Sequence, residues 1–179
     1  MGWDWKADLY VNSHRRGVLG AILAFIFEPS FSFVVWLRLF LYLKSKKNKF
    51  VRLLMRIVFL HVYKVFSTYV SFGISTVGRS LKTPHPHGIV IGNDVAIGND
   101  VTILQNVTLG EKDIKAKEEK PTRIGNNVIV SAGAVVLGPI NIGNDVVIGA
   151  NSVVIKDLPD GVTAVGAPAR MIAKHSPKK

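Results

Sequence analysis

Apolar residues recur at every sixth position in the C-terminal half of the chain. From residue 89 the sequence reads IVIGND, VAIGND, VTILQN and VTLGEK, and after an interruption it resumes as VIVSAG, AVVLGP, INIGND, VVIGAN and SVVIKD. Each hexad has the length of one short strand and one turn, and three hexads make a triangular coil of about 18 residues with stacked aliphatic columns. A β-sandwich would not keep a strict period of six. The pattern predicts a mainly β fold, a left-handed parallel β-helix, with one buried column at Ile91, Ile97, Ile103, Leu109, Ile124, Val130, Val136, Ile142, Ile148 and Val154, and a second at Val95, Val101, Val107, Val128, Ala134, Ile140, Val146 and Ser152.

The repeat is interrupted once, by the charged segment EKDIKAKEEKPT at residues 111–122. We predict a loop that leaves the coil at this point. Loops longer than a connection requires are often functional, although a solvated insertion without a role is the alternative.

The N-terminal segment has a different pattern. An apolar run at residues 17–27 is too short to span a bilayer as a helix, and a second run at 31–43 contains Arg38. Residues 50–69 have the spacing of an amphipathic helix, with Arg52, Arg56 and Lys64 off its apolar face. We therefore predict an N-terminal α-helical segment of three helices over residues 1–69, a β-helix domain over 70–173 with an irregular first coil at 70–81, and a tail at 174–179.

The positive charge is concentrated in this helical segment. Residues 1–82 hold 13 of the 23 Lys and Arg but three of the 12 Asp and Glu, a net charge of +10. Two interpretations stay open: a cap that packs on the β-helix or on neighbouring subunits, and attachment to an anionic membrane surface, which Trp3, Trp5 and Trp36 would suit. Binding to nucleic acid is disfavoured because the basic residues alternate with large aliphatic ones.

The localisation expected from the sequence is cytoplasmic. The N-terminus lacks the features of a secretory signal. If the helices bind lipid, we expect a peripheral protein on the inner face of the cytoplasmic membrane.

Candidate chemistry centres on His85 and His87, in the sequence TPHPHG that precedes the first regular hexad. The chain has no cysteine, which excludes disulfides, thiolate metal sites and a cysteine nucleophile. Imidazole suits general-base catalysis near neutral pH, and a backbone N–H at a tight corner can stabilise an oxyanion. A zinc enzyme on this fold needs three converging imidazoles, and no histidine occurs between residues 88 and 174, so we predict no metal.

Several motifs together resemble serine O-acetyltransferases, and still more the serine-acetyltransferase-like enzymes of capsular and other surface-polysaccharide pathways. They are HPHGIVIG at 85–92, VTILQNVTLG at 101–110, SAGAVVLG at 131–138, IGANSVV at 148–154 and VGAPAR at 165–170. The resemblance covers about residues 70–173. It implies an acetyl-CoA-dependent O-acetyltransferase that forms a homotrimer, with sites between neighbouring subunits. By the same resemblance His85 is the general base. The small residues Gly110, Ala132 and Ala150 line the groove for the pantetheine arm of CoA. Gly166 and Arg170 lie near the nucleotide end of CoA.

The departures from that family concern the acceptor. Pro84 stands where serine acetyltransferases keep an acidic residue before the base, Val70 stands near the position of a second one, and Glu119-Lys120 replaces an Arg-His pair. We therefore predict transfer to a sugar hydroxyl of a polysaccharide precursor, small or lipid-linked. The alternatives are a serine O-acetyltransferase of cysteine biosynthesis and a non-catalytic β-helix scaffold. The predicted acceptor contacts are His87, Gln105 and Lys120.

Overall fold

The fold is described from a computed structural model, over residues 4–46, 48–70, 76–111 and 121–174. Four helices come first: α1 (Trp5–Ser13), α2 (Gly17–Phe27), α3 (Pro29–Lys44) and α4 (Lys49–Phe66). Fourteen strands follow among these residues: β1 (Tyr69–Val70), β2 (Thr76–Val77), β3 (Val90–Ile91), β4 (Val95–Ile97), β5 (Thr102–Ile103), β6 (Thr108–Glu111), β7 (Thr122–Ile124), β8 (Ile129–Val130), β9 (Val135–Gly138), β10 (Asn141–Ile142), β11 (Val147–Ile148), β12 (Val153–Val154), β13 (Val162–Val165) and β14 (Arg170–Lys174).

The helical segment contains one helix more than the sequence pattern predicts. The additional helix, α1, has no apolar run to mark it. Asp4 caps its N-terminus, and the Asp4 carboxylate accepts a hydrogen bond from the Ala7 N–H at 3.1 Å. Pro29 occupies the first turn of α3, where its missing N–H costs nothing, and so separates α3 from α2. The fourth helix ends at Phe66 rather than at residue 69, because Ser67 is left-handed and Tyr69 begins a strand.

The strands form a left-handed parallel β-helix of three faces, as the hexad period predicts. The first face contains β1, β3, β6, β9 and β12, the second β2, β4, β7 and β10, and the third β5, β8, β11, β13 and β14. Neighbouring strands within a face are parallel, except that β14 turns back antiparallel to β13 and closes the C-terminal end. The predicted fold class is therefore confirmed.

Both predicted aliphatic columns are buried. All ten members of the first column and all eight of the second are at most 6% exposed. Burying one Val, Leu or Ile side chain stabilises by about 1.5–3 kcal/mol. Because every coil adds residues to the same columns, the repeat provides most of the apolar core.

The corner between the second and third faces is built from a ladder of amides. The Asn99 N–H donates to Asn126 Oδ1 at 2.9 Å, and the Asn126 N–H donates to Asn144 Oδ1 at 2.9 Å. The residue after each of these asparagines is left-handed, a conformation that Asn and Asp tolerate better than most side chains: Asp100, Asn127 and Asp145.

Two boundaries differ from the prediction. Glu111 belongs to β6 and Thr122 to β7, because both pair within their faces, so the predicted loop at 111–122 is shorter; residues 112–120 lie outside the described residues. The first coil is also more regular than predicted at its end. Thr76 and Val77 pair in parallel with β4, and Lys82 forms a bridge to Thr102. Residues 71–75 lie outside the described part of the chain.

The helices and the β-helix share one apolar core. Phe33 and Leu37 of α3 and Val58 of α4 belong to the same buried cluster as the aliphatic columns. At the end of α3, burial lowers the pKa of Lys44, and the nearby Asp94 carboxylate opposes that shift. The helical segment is thus packed onto the first coil.

None of the helices in the described ranges is by itself both long and apolar enough to cross a membrane. The pair α2 and α3 passes that test together by length and composition, but the two are bent by 101° at their junction.

Candidate active site

One edge of the β-helix gathers most of the sequence-predicted site residues. This edge, where the third face passes into the first, consists of the turns at residues 87–88, 105–106, 132–133 and 150–151, and we refer to it as the His edge. Successive turns are joined by backbone hydrogen bonds of 2.9–3.0 Å: Asn106 N–H to His87 O, Gly133 N–H to Gln105 O, and Asn151 N–H to Ala132 O. His87, Gln105, Ala132 and Ala150 therefore lie on successive coils of one edge.

His85 occupies the start of the His edge. Its side chain is exposed, and among the described residues no group hydrogen-bonds the imidazole. Its backbone carbonyl accepts from the His87 N–H at 2.8 Å, which fixes a tight turn around Pro86. The imidazole is accessible, so its unprotonated nitrogen can reach the proton of a substrate, as a general base requires.

His87 is tied to the helical segment. Its ring lies 6.3 Å from the Phe66 ring at the end of α4, between centroids, with a tilt of 45°. The ring is nevertheless exposed. His87 can therefore fill the corner and still face an incoming acceptor.

Side chains of three helical or linker residues hold the backbone on both sides of His85. Ser30 Oγ donates to the Pro84 carbonyl at 3.1 Å, and Thr68 Oγ1 donates to the Pro86 carbonyl at 2.9 Å. Asn12 donates to the Leu81 carbonyl at 2.8 Å and accepts from the Thr83 N–H at 3.1 Å. These residues were missed from the sequence, because they lie 18 to 71 positions from their partners and no local motif marks them.

A buried ion pair between α1 and α3 holds the backbone of the first coil at residues 77–81, before His85. Arg38 Nε donates to Asp8 Oδ2 at 3.0 Å, and the arginine also donates to the Val77 and Gly78 carbonyls. Asp8 is fully buried and accepts from the Leu81 N–H at 3.1 Å. Arg38 within an apolar run was the one available signal for this pair, but the sequence did not indicate its partner.

Gln105 carries an unused hydrogen-bond acceptor. Its Oε1 is buried and has no partner among the described residues. A buried carbonyl oxygen without a partner carries a desolvation cost of about 1–3 kcal/mol. Since Gln105 lies one coil from His87, a substrate N–H or O–H bound at the His edge is a natural partner for it.

The predicted cofactor residues fall into two groups. Ala132, Ala150 and Gly166 share the His edge: the Gly166 carbonyl accepts from the Val153 N–H at 2.9 Å, and its N–H donates to Ser152 Oγ at 3.1 Å. Gly110 lies at the opposite end of the first face, near the start of the loop, and a Cβ added there would have no described atom within 4 Å.

The remaining predicted residues are less constrained. Arg170 is exposed at the start of β14, and its guanidinium donates to the Ala169 carbonyl at 3.3 Å. Lys120 lies outside the described residues. Over the described ranges, no group of three or more His, Asp or Glu side chains is placed to hold a metal ion.

A shallow depression of about 460 Å³ lies elsewhere, on the outer surface of the second face. It is lined by Thr76, Ala96, Gly98, Arg123 and Asn141, among others. Neither His85 nor His87 lines it.

Comparisons with known proteins support the β-helix fold with its N-terminal helices. Residues 121–156 match the family described as Bacterial transferase hexapeptide (six repeats). A serine acetyltransferase of Helicobacter pylori (strain J99) is 53% identical over 98 residues, which cover 55% of this chain and 57% of that protein. The chain thus spans little more than half of this relative.

Solved structures extend the similarity over the helices. A truncated serine acetyltransferase apoenzyme matches with a TM-score of 0.78 and 30% identity, covering 93% of this chain and 68% of that one. A serine acetyltransferase in complex with CoA matches with a TM-score of 0.68 and 26% identity, covering 94% of this chain and 67% of the other. These relatives do not support the predicted grouping with surface-polysaccharide enzymes. Residues 121–156 thus match the hexapeptide-repeat transferases, and the β-helix is similar to that of serine acetyltransferases.

Proposed function

We propose that this protein transfers the acetyl group of acetyl-CoA to the hydroxyl of a small acceptor, with L-serine as the first candidate. The observation that carries the proposal is His85: an exposed imidazole, free of hydrogen-bond partners among the described residues, at the start of the edge that a serine-acetyltransferase-type β-helix presents.

The proposed chemistry uses His85 as a general base and no metal ion. The imidazole accepts the acceptor's hydroxyl proton while that oxygen attacks the thioester carbonyl carbon. A backbone N–H at the corner stabilises the resulting oxyanion. The intermediate then collapses: the C–S bond breaks, the acetyl ester forms, and the leaving thiolate of CoA takes the proton from the imidazolium.

Small residues are the features that suit the CoA arm. Ala132, Ala150 and Gly166 follow one another along the His edge, and larger side chains there would obstruct an extended chain lying against the coils. Gly110 at the loop and Arg170 at β14 stay predicted contacts, for the pantetheine arm and the nucleotide end respectively. The solved relative with bound CoA supports this assignment of the donor.

Serine is favoured as acceptor by the names of the relatives and is compatible with Gln105. The buried, unpartnered Gln105 Oε1 can accept a hydrogen bond from an ammonium or a hydroxyl group. We propose Gln105 and His87 as acceptor contacts, together with Lys120 of the loop. We further propose a homotrimer in which the neighbouring subunit completes each site.

A sugar hydroxyl is the second candidate, for a specific reason. Pro84 precedes His85 at a position where serine acetyltransferases carry an acidic residue, and its carbonyl is engaged by Ser30. A proline offers no charge to an amino-acid ammonium. A neutral acceptor such as a free or lipid-linked sugar would not need one.

An acceptor assay separates the two candidates. The full-length protein is incubated with acetyl-CoA and either L-serine or a panel of free and nucleotide-linked sugars, while thiol release is followed and products are identified by mass spectrometry. We expect acetylation of serine. Turnover of a sugar with no turnover of serine would replace the first candidate by the second, and thiol release no faster than hydrolysis with every acceptor would contradict both.

A further inference from the structure

The outer surface of α4 is apolar although it faces solvent. Met55, Val58 and Val62 form its buried stripe, but the opposite side is not polar. Seven large apolar or aromatic side chains of this helix are 41–72% exposed: Phe50, Leu53, Leu54, Ile57, Leu60, Tyr63 and Val65. Single exposed apolar residues are ordinary on soluble proteins, whereas a row of seven on one helix marks an interaction surface.

The second helix presents a similar surface, and the two are joined. Its exposed members, at 38–69%, are Val18, Leu19, Ile22, Phe25, Ile26 and Phe27. A groove of about 390 Å³ runs between the helices and is lined by Phe25 and Ile26 of α2, Trp36 of α3, and His61 and Val65 of α4. The exposed sides of α2 and α4 therefore border one apolar surface, which we call the helical apolar surface.

The charge around this surface is positive and largely uncompensated. Lys46, Lys49, Arg56 and Lys64 are exposed on or beside α4, and the sequence of α4 contains no acidic residue. The acidic residues of the helices are engaged elsewhere: Asp8 with Arg38, and Glu28 with Arg15 at 3.9 Å. A second copy of the chain laid on this surface would bring like charges together, whereas an anionic surface would be attracted.

We propose that the helical apolar surface binds an anionic lipid bilayer, such as one with the charge of the cytoplasmic leaflet. Helices α2 and α4 would lie in the lipid–water interface. Apolar side chains of both helices would enter the boundary of the acyl chains, and the exposed lysines and Arg56 would contact the headgroup phosphates. Interfacial helices combine these two features, apolar burial and basic side chains facing anionic lipid.

The proposed membrane surface adjoins the His edge. Phe66 ends α4, its ring packs beside His87, and its carbonyl accepts from the Gly88 N–H at 3.4 Å. A protein bound through α4 would therefore hold His85 near the lipid–water boundary. Lipid binding is independent of turnover, so failure of the acetyl-transfer proposal would leave this one standing.

The experiment is sedimentation of the full-length protein with two kinds of vesicle: phosphatidylcholine alone, and phosphatidylcholine with 30 mol% phosphatidylglycerol. We expect partitioning onto the anionic vesicles at least tenfold stronger than onto the neutral ones, and at least tenfold weaker again in 0.5 M NaCl, because salt screens the basic residues. Protein that stays in the supernatant with anionic vesicles at low salt overturns the proposal, and so does binding that is indifferent to lipid charge.

Matched variants locate the surface. F50S/I57S/L60S on α4 should lose at least tenfold in partitioning, whereas I129S/M171S/I172S, three exposed apolar residues of the β-helix at 40–64%, should bind as wild type. Equal binding by the first variant and wild type contradicts the proposal. The proposal is also contradicted if wild type does not bind vesicles but forms an oligomer that the α4 variant does not form. The helical apolar surface would then bind a second copy of the chain. Circular dichroism checks folding, and the salt response of wild type tests the proposal without any substitution.

Discussion

The β-helix and the helical segment are stabilised in different ways. In the β-helix, residues of the same kind occupy the same place in each coil, so the buried columns and the Asn99–Asn126–Asn144 ladder repeat one contact many times. In the helical segment the long-range polar contacts are each made once and follow no repeat, as in the pair of Asp8 and Arg38. Loss of one contact should therefore have different consequences in the two regions.

The largest expected effect on stability follows from removing Arg38. Replacing it by Met leaves the Asp8 carboxylate buried without its cation, and breaking a buried pair costs about 3–5 kcal/mol. We expect the helices to become susceptible to proteolysis while a fragment from about residue 76 onward resists.

The matched control is Arg15→Met. Arg15 pairs with Glu28 at 3.9 Å, and both side chains are more than a third exposed, so its loss should cost about 0–1 kcal/mol in chemical denaturation. Equal destabilisation by the two variants would show that the buried pair does not anchor the helices.

A cavity in the β-helix should lower the free energy of unfolding by about as much as the loss of Arg38, but in a different region of the molecule. Ile148→Ala empties a fully buried position of the column and should lower the free energy of unfolding by about 2–5 kcal/mol. Ile129→Ala, on the neighbouring coil but 40% exposed, should change it by about 0.5 kcal/mol or less. Urea titration measures both, and a small effect at Ile148 would mean that the column is not the principal source of stability.

Substitution by alanine should have different effects at two glycines, Gly133 and Gly110. Gly133 has a φ of +70° and lies against the Asn151 side chain, so Gly133→Ala should destabilise by at least about 1–2 kcal/mol. Gly110 is buried but has ordinary backbone geometry, and a Cβ added there would have no described atom within 4 Å. Gly110→Ala should leave stability within about 0.5 kcal/mol but raise the KM for acetyl-CoA if the pantetheine arm passes there. An unchanged KM would remove Gly110 from the predicted cofactor contacts.

The smallest expected effect concerns Ser30, a positioning residue. Ser30→Ala loses one hydrogen bond to the Pro84 carbonyl, about 1 kcal/mol, which corresponds to a fivefold loss in kcat if that bond orients His85. The KM for acetyl-CoA should not change. Ser13→Ala, which loses a bond within α1 to the Leu9 carbonyl, should leave kcat as in wild type. Equal kcat in all three proteins would show that the Ser30 hydrogen bond does not orient His85 and that Ser30 only contributes to packing.

The contrast between the regions also explains what the sequence could predict. The period of six placed every buried residue of both columns, because in a repeat fold the local pattern and the tertiary contacts have the same period. In the structure His87, Gln105, Ala132 and Ala150 lie on successive coils of one edge, an arrangement that was not predicted from the sequence.

The helical segment was predicted less completely. The α1 helix was missed because no apolar run marks it, and the pattern of residues 50–69 did not indicate that Phe50, Ile57 and Leu60 lie exposed on the outer side of α4. The contacts of Asn12, Ser30 and Thr68 with the backbone beside His85 are single, long-range hydrogen bonds. Such contacts depend on how helices pack onto the first coil, and a single sequence carries no pattern for them.

The comparison with known proteins changed the expected acceptor rather than the fold. The missing acidic residues at Val70 and Pro84 suggested a sugar, whereas the relatives are serine acetyltransferases. Pro84 lies next to the proposed base, and its lack of charge is one sequence feature that favours a sugar as acceptor.

The most direct test of His85 as the general base is the His85→Ala variant, compared with His14→Asn as a control histidine outside the His edge. Turnover of acetyl-CoA with the acceptor identified for wild type, and affinity for CoA by calorimetry, are measured for all three proteins. We expect His85→Ala to lose about 10²–10⁴-fold in kcat and to keep its affinity for CoA, while His14→Asn matches wild type. Near-normal turnover by His85→Ala would contradict the assignment of His85 as the base.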